Sequence, residues 1–261
     1  MRYFRIYKTI LKLNFSYLTA YRGNMVNGLI ANSVWGFFSL LLIIILTAKT
    51  PSVFGWTRQE LFLLFGIYNI FTSVFQFFFA RGFDRFSEIV NRGRLDSVLL
   101  KPVDSQFLMS VSYINLPVLL RIFLGGGFIA YVLMQMHYLP TLTQFFFTLI
   151  LMAASIMVLY SMWYVVSTCL IWWSNLTNLV GLMYEINGIT RYPQEMYRSI
   201  SPILFYTILP LTLVATIPTQ ALIGKATLNN MFLLIFFAVF LLFVSRVFWQ
   251  YTLRFYVSAG G

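Results

Sequence analysis

Long apolar runs broken by short polar punctuation dominate this chain, and one polar interruption is far longer than the rest. Apolar stretches run from about Met25 to Ala48, Leu61 to Ala80, Pro117 to Met136 and Leu142 to Trp173, with a last one from Met231 to Trp249. Each is long enough to cross roughly 30 Å of hydrocarbon as a helix. The strands of a membrane barrel would alternate apolar and polar positions over about 10 residues, and these runs do not alternate. The pattern predicts a helical chain crossing a membrane several times, because a helix satisfies its own backbone groups in lipid.

The punctuation refines this. Lys49, Pro51, Gly55 and Trp56 make a short loop, and His137, Tyr138 and Pro140 make another. The run from Leu142 is longer than a bilayer needs. A turn at Trp172-Trp173-Ser174-Asn175 would leave a shorter fifth helix from about Leu176 to Ile189. In residues 190–225, Pro193, Pro202, Pro210 and Pro218 recur about every eight residues. Proline interrupts helices, so this region predicts broken helices that dip into the membrane and return. The alternative makes Ile203 to Leu222 a kinked full span. Residues 1–22 predict an amphipathic helix lying in the headgroup layer. Its Arg2, Arg5, Lys8 and Lys12 fall within an arc of roughly 120° at the helical period. The expected architecture is thus one all-α, polytopic membrane domain over residues 1–261, with six transmembrane helices, an N-terminal interfacial helix and re-entrant segments before the last span.

Composition agrees. The chain is 60% hydrophobic and 10% charged, whereas soluble domains carry about 25% charged residues. Its net charge of +11 would suggest nucleic acid in a soluble protein. In a membrane protein it points instead to cytoplasmic loops rich in Lys and Arg. Five basic residues precede or open the first span (Arg2, Arg5, Lys8, Lys12, Arg22), two follow it (Lys49, Arg58), and five lie in the polar segment 81–104. Both termini and that segment are therefore expected in the cytoplasm of a multi-pass plasma-membrane protein, with Arg246 and Arg254 as anchors and Arg191 and Arg198 outside. One Cys (Cys169) and one His (His137) leave too few ligands for an ordinary zinc site. No Ser-His, paired-acid or metal constellation suggests catalysis.

The polar segment, Arg81 to Asp104, gathers five of the 18 basic residues and four of the seven acids. Within it, a short helix ending near Asn91 and stopped by Gly93, then a second turn ending before Pro102, would form a compact knob. Leu95, Val98 and Leu99 would face a partner. A solvated loop that merely sets topology is the other reading.

The motif Gly93-x-Leu95-Asp96-x-x-Leu99-Leu100-Lys101-Pro102-Val103 resembles the cytoplasmic loop of ABC-2 type permeases, the membrane subunits of ABC exporters, in a subfamily of about this chain's length. Tyr21-Arg22, Gly55-Trp56-Thr57 with Glu60, Arg191-Tyr192-Pro193 with its spaced prolines, and Phe248-Trp249 to Leu253-Arg254-Phe255-Tyr256 match in order and spacing across nearly the whole chain. The resemblance implies a permease that pairs with an identical or related second permease and with two separate ATPase subunits. ATP and Mg would then be bound by those subunits, and this chain would need no cofactor. It also implies that the knob docks in a groove of the ATPase, a role carried by Glu88, Arg92, Gly93, Arg94, Leu95, Asp96, Leu99, Lys101 and Pro102. Gly224-Lys225-Ala226 lacks the Gly and Ser/Thr of a phosphate loop. The alternative function is an ATP-independent secondary transporter or channel.

Inside the spans, Glu185 and Asn32 are candidates for a substrate path, since intramembrane polar groups are costly. For Glu185 a carboxyl near the outer surface is an equal reading. Arg121 is expected near a span end, snorkelling to headgroups. Gly125-Gly126-Gly127 is expected to let helices approach closely. The aromatics, 19% of the chain, are expected mostly in lipid-facing belts.

Overall fold

A computed structural model describes residues 2–20, 22–47, 52–173, 178–200 and 209–256. The chain is mostly helical. Helices α1 (Arg2–Ala20) and α2 (Arg22–Thr47) come first. A two-residue hairpin follows, β1 (Ser52–Val53) against β2 (Trp56–Thr57), antiparallel with Ser52 opposite Thr57. Its central residues Phe54 and Gly55 both carry positive φ, as a tight two-residue hairpin requires.

Helix α3 (Arg58–Phe75) starts on a capping box in which Thr57 and Glu60 bond each other's backbone N–H. It passes through a π-helical turn, Gln76–Ala80, directly into α4 (Arg81–Asn91). The second span therefore continues past Ala80, the end expected from hydropathy. Charge alone does not stop a helix, and the first residue that does so here is Gly93. After α4 come α5 (Asp96–Leu99), α6 (Ser105–Val111), a 3-10 turn at Leu116–Val118 and α7 (Leu119–Gln135). Helix α8 (Leu142–Thr168) begins on a second capping box, Thr141 with Gln144, and ends in a 3-10 turn at Cys169–Ile171. Then follow α9 (Leu179–Asn187), a 3-10 turn at Gly188–Arg191, α10 (Gln194–Ile200), α11 (Leu209–Leu222) and α12 (Leu228–Leu253).

Among the described residues, four helices are long and apolar enough to cross a membrane: Arg58–Val90, Leu116–Gln135, Leu142–Ile171 and Leu228–Leu253. Helix α2 coincides with the expected first span. Helix α11, with 14 residues, extends only about 21 Å at 1.5 Å per residue. The described part of the kinked-span alternative is thus too short to cross. The expected turn at Trp172-Trp173 is present, while Ser174 and Asn175 lie outside the described residues.

Contacts fix the relative directions. Helix α7 runs antiparallel to α3, with Gly125 against Ile70 and Gly66 against Ile129. Gly126 and Gly127 face open space, so only one glycine of the expected trio serves that approach. Helix α8 lies antiparallel to α11 through Thr148 to Pro218 and Ser155 to Val214. It runs alongside α12 in the same direction, with Tyr164 on Trp249. The molecule therefore has two ends. One carries the segment 81–104, and the other carries the hairpin and the α11–α12 turn.

The core at the first end is aromatic. Phe75, Phe83 and Phe86 of the long helix are buried against Trp163, Tyr164 and Trp249. These rings form neither a belt nor a path lining. They contribute specific edge-on and tilted pairings of about 0.5–1.5 kcal/mol each beyond burial.

Candidate functional site

The knob is built by the local signals that predict it. Helix α4 ends at Asn91, and Gly93 takes φ +63°. Arg94 N–H donates to the Ile89 carbonyl at 2.9 Å and Gly93 N–H to that of Val90 at 3.0 Å. That pair of bonds is a Schellman motif, which needs a left-handed residue at this position. The chain then enters the single turn α5, closed by Leu100 N–H to the Asp96 carbonyl at 3.0 Å. Asp104 caps α6 by accepting from Phe107 N–H at 2.9 Å.

The predicted docking residues divide into two groups. Arg92, Arg94, Lys101 and Pro102 are exposed. Glu88 is occupied by Arg85 at 2.7 Å and Arg92 at 2.9 Å. Leu95 is fully buried and Val98 nearly so, which corrects the expectation that they face a partner. Their helix is too short to stand alone, so its apolar side is consumed in holding the knob to the protein. Leu99 is half-buried, and the apolar residue left outward is Leu100, 85% exposed. Sequence spacing missed Leu100, because four consecutive residues of one turn cover all directions.

The knob is tied to the last helix and tail. Arg246 donates to Asp104 at 2.6 Å and to Gln106 at 3.0 Å, and Trp249 Nε1 donates to Ser105 at 3.1 Å. Burial pushes the Asp104 carboxyl up, but the Arg246 guanidinium and the Phe107 N–H outweigh it and hold it below its usual value. Arg246, expected as an anchor at this end of the last span, ties that helix to the knob. Beyond α12, burial and the neighbouring Asp96 carboxylate push the Tyr256 phenol up. Ser110 and Gln106 reach the Tyr160 hydroxyl at 2.9 and 3.3 Å, so α6 is fastened to α8 as well.

A second polar cluster joins α7 to the long helix. Arg121, two residues into α7, donates to Asn69 at 3.0 Å, Thr72 at 3.3 Å and Gln76 at 3.4 Å. It stands near the start of its span, as expected, and a row of side chains on the long helix bonds its guanidinium in place of headgroups. That row is spaced at helical intervals and could have been found in the sequence on that basis.

At the opposite end, Trp56 Nε1 donates to Glu195 at 2.9 Å, Gln220 reaches Glu195 at 3.4 Å, and Lys225 pairs with Glu60. Gln194 N–H donates to Thr216 at 3.1 Å, and Arg191 lies over the Tyr68 ring at 5.5 Å. The separated motifs around Trp56, Arg191 and the prolines therefore meet in space. Glu185 on α9 is exposed and takes no part in either cluster. The side chain of Asn32 lies outside what the structure describes. Among the described residues, no group of three His, Cys, Asp or Glu could hold a metal ion.

No curated protein and no solved structure matches this chain. The family of ABC-2 family transporter proteins matches residues 33–260, which takes in α3 through α12, the knob and both clusters, and the chain belongs to that family of membrane transport components.

Proposed function

We propose that this chain is a permease subunit of an ATP-driven ABC exporter. It pairs with a second permease and receives work from separate ATPase subunits that bind ATP and Mg. In this reading the chain has six spans. Helix α2 is the first, the broken rise α9–α10 is the fifth, and α11 is a re-entrant arm. The observation that carries the reading is the knob: an exposed turn ringed by Arg92, Arg94 and Lys101, with Leu100 outward. The knob's roots are bonded to α12 and α8. A push on Leu100 would reach those helices directly, which gives ATP-driven closure of a partner the differential contact a conformational shift needs. Export, as the direction, rests on the family resemblance. No residue of this chain is assigned a catalytic role.

The test is purification from the native host in mild detergent, with identification of what accompanies the chain. A stoichiometric ATPase is expected. Arg94→Glu should remove it, and Leu100→Ala should weaken it by about 2 kcal/mol, as for a central apolar anchor. An ATPase retained by Arg94→Glu and Leu100→Ala together would overturn the docking assignment. A chain that purifies alone even after crosslinking would favour an ATP-independent transporter.

A further inference from the structure

A cavity of about 1380 Å³ opens at the knob end, between α1 and the long helix. One wall is the apolar side of α1, including Ile6, Ile10 and Leu13. The other carries Arg81 and Arg85 of α4, with Lys101 of the knob, and Arg5 of α1 completes the mouth. The cavity thus gathers four cations and one acid, Asp84. The Tyr184 hydroxyl already lies 3.4 Å from Asp84, and Arg85 is paired with Glu88 and lies over the Tyr113 ring at 5.3 Å. Among the described residues, no carboxylate oxygen lies within 4.0 Å of Arg5, Arg81 or Lys101; the ion pairs of this end are Arg85–Glu88, Arg92–Glu88 and Arg246–Asp104. Arg81 feels the Asp84 carboxylate in the same cleft, but Arg5, Arg81 and Lys101 outnumber that one acid, so an anion between them lowers their mutual repulsion.

We infer that this cleft binds the phosphate headgroup of an anionic phospholipid, with its acyl chains laid along α1. Guanidinium groups suit phosphate oxygens geometrically. A soluble phosphate would have no use for the wall of Ile6, Ile10 and Leu13. The outer side of α1 exposes Phe4 and Phe15, which is the behaviour of a helix immersed at headgroup depth. Among the described residues, α1 meets the protein through contacts such as Tyr3 edge-on to Phe107, Tyr7 near Phe78 and Asn14 accepting from Ile114 N–H. A lipid in the cleft would bridge α1 to α4. That is a defined, stoichiometric site, distinct from general attraction of a basic helix to a negative leaflet, and it does not depend on the ATPase reading.

The experiment is native mass spectrometry of the full chain in detergent, titrated with phosphatidylglycerol or phosphatidylcholine. One tightly retained phosphatidylglycerol is expected, and no comparable phosphatidylcholine. Arg5→Gln and Arg81→Gln should each weaken it about fivefold, the effect of one basic residue on an anionic headgroup. Asp84→Asn should strengthen it, a gain that misfolding cannot produce. Arg58→Gln and Arg198→Gln, outside the cleft, should leave it unchanged. Equal retention of phosphatidylcholine, or undiminished binding in the Arg5→Gln, Arg81→Gln double variant, would overturn the site. Displacement by inorganic phosphate or glycerol phosphate as effectively as by lipid would show a free-phosphate site and overturn the lipid assignment.

Discussion

Ser155 shows how single residues let a proline live inside this fold. Pro218 stands within α11 and has no N–H, so the Val214 carbonyl four residues earlier loses its helical partner. The Ser155 hydroxyl on α8, fully buried, donates to that carbonyl at 2.6 Å. At membrane depth no water can substitute. Ser155→Ala should therefore cost about 1–3 kcal/mol, the penalty of a buried unsatisfied acceptor. Pro218→Ala in the same chain should recover much of it by restoring an N–H. Thermal unfolding of the four variants in detergent measures the coupling. Additive effects, within about 0.5 kcal/mol, would show that the carbonyl finds another partner. Arg121 obeys the same logic, with Asn69, Thr72 and Gln76 standing in for solvent.

At the scale of elements, legibility in the sequence followed the range of the cause. The end of α4 at Asn91, the left-handed Gly93 and the short α5 were readable because their signals are local. The burial of Leu95 and Val98 was not readable, since the face they turn inward is decided by a core assembled from distant parts of the chain. The aromatic stripe Phe75, Phe79, Phe83, Phe86 keeps a helical spacing across a π turn. In a membrane sequence, though, lipid-facing and core-facing aromatics look alike. The convergence of Trp56 with Glu195 spans 139 positions and left only motif order as its trace. Gly93 tests the local part of this account. Gly93→Ala should cost about 1–2 kcal/mol, because a Cβ disfavours φ near +60°, and Gly93→Asn should cost less. Melting temperatures in detergent would rank them. Equal cost for the two would mean that the turn tolerates another backbone shape.

For the whole molecule, orientation decides whether a cytoplasmic partner can reach the knob. Charge counting places the knob end inside, with Arg191 and Arg198 as the discordant residues. The structure weakens that discord. Arg191 is half-buried over the Tyr68 ring, and Lys225 is neutralised by Glu60. The far end therefore presents less free positive charge than its sequence suggests, while the knob end keeps Arg5, Arg81, Arg94 and Lys101 exposed. Two exposed leucines mark the ends: Leu100 on the knob at 85% and Leu139, between α7 and α8, at 90%. In a Cys169→Ser background, which removes the lone native thiol, Leu139→Cys should react with a membrane-impermeant maleimide on intact cells. Leu100→Cys should react only after permeabilisation. The reverse pattern would invert the molecule, put the knob out of reach of any cytoplasmic ATPase, and remove the physical basis for coupling through it.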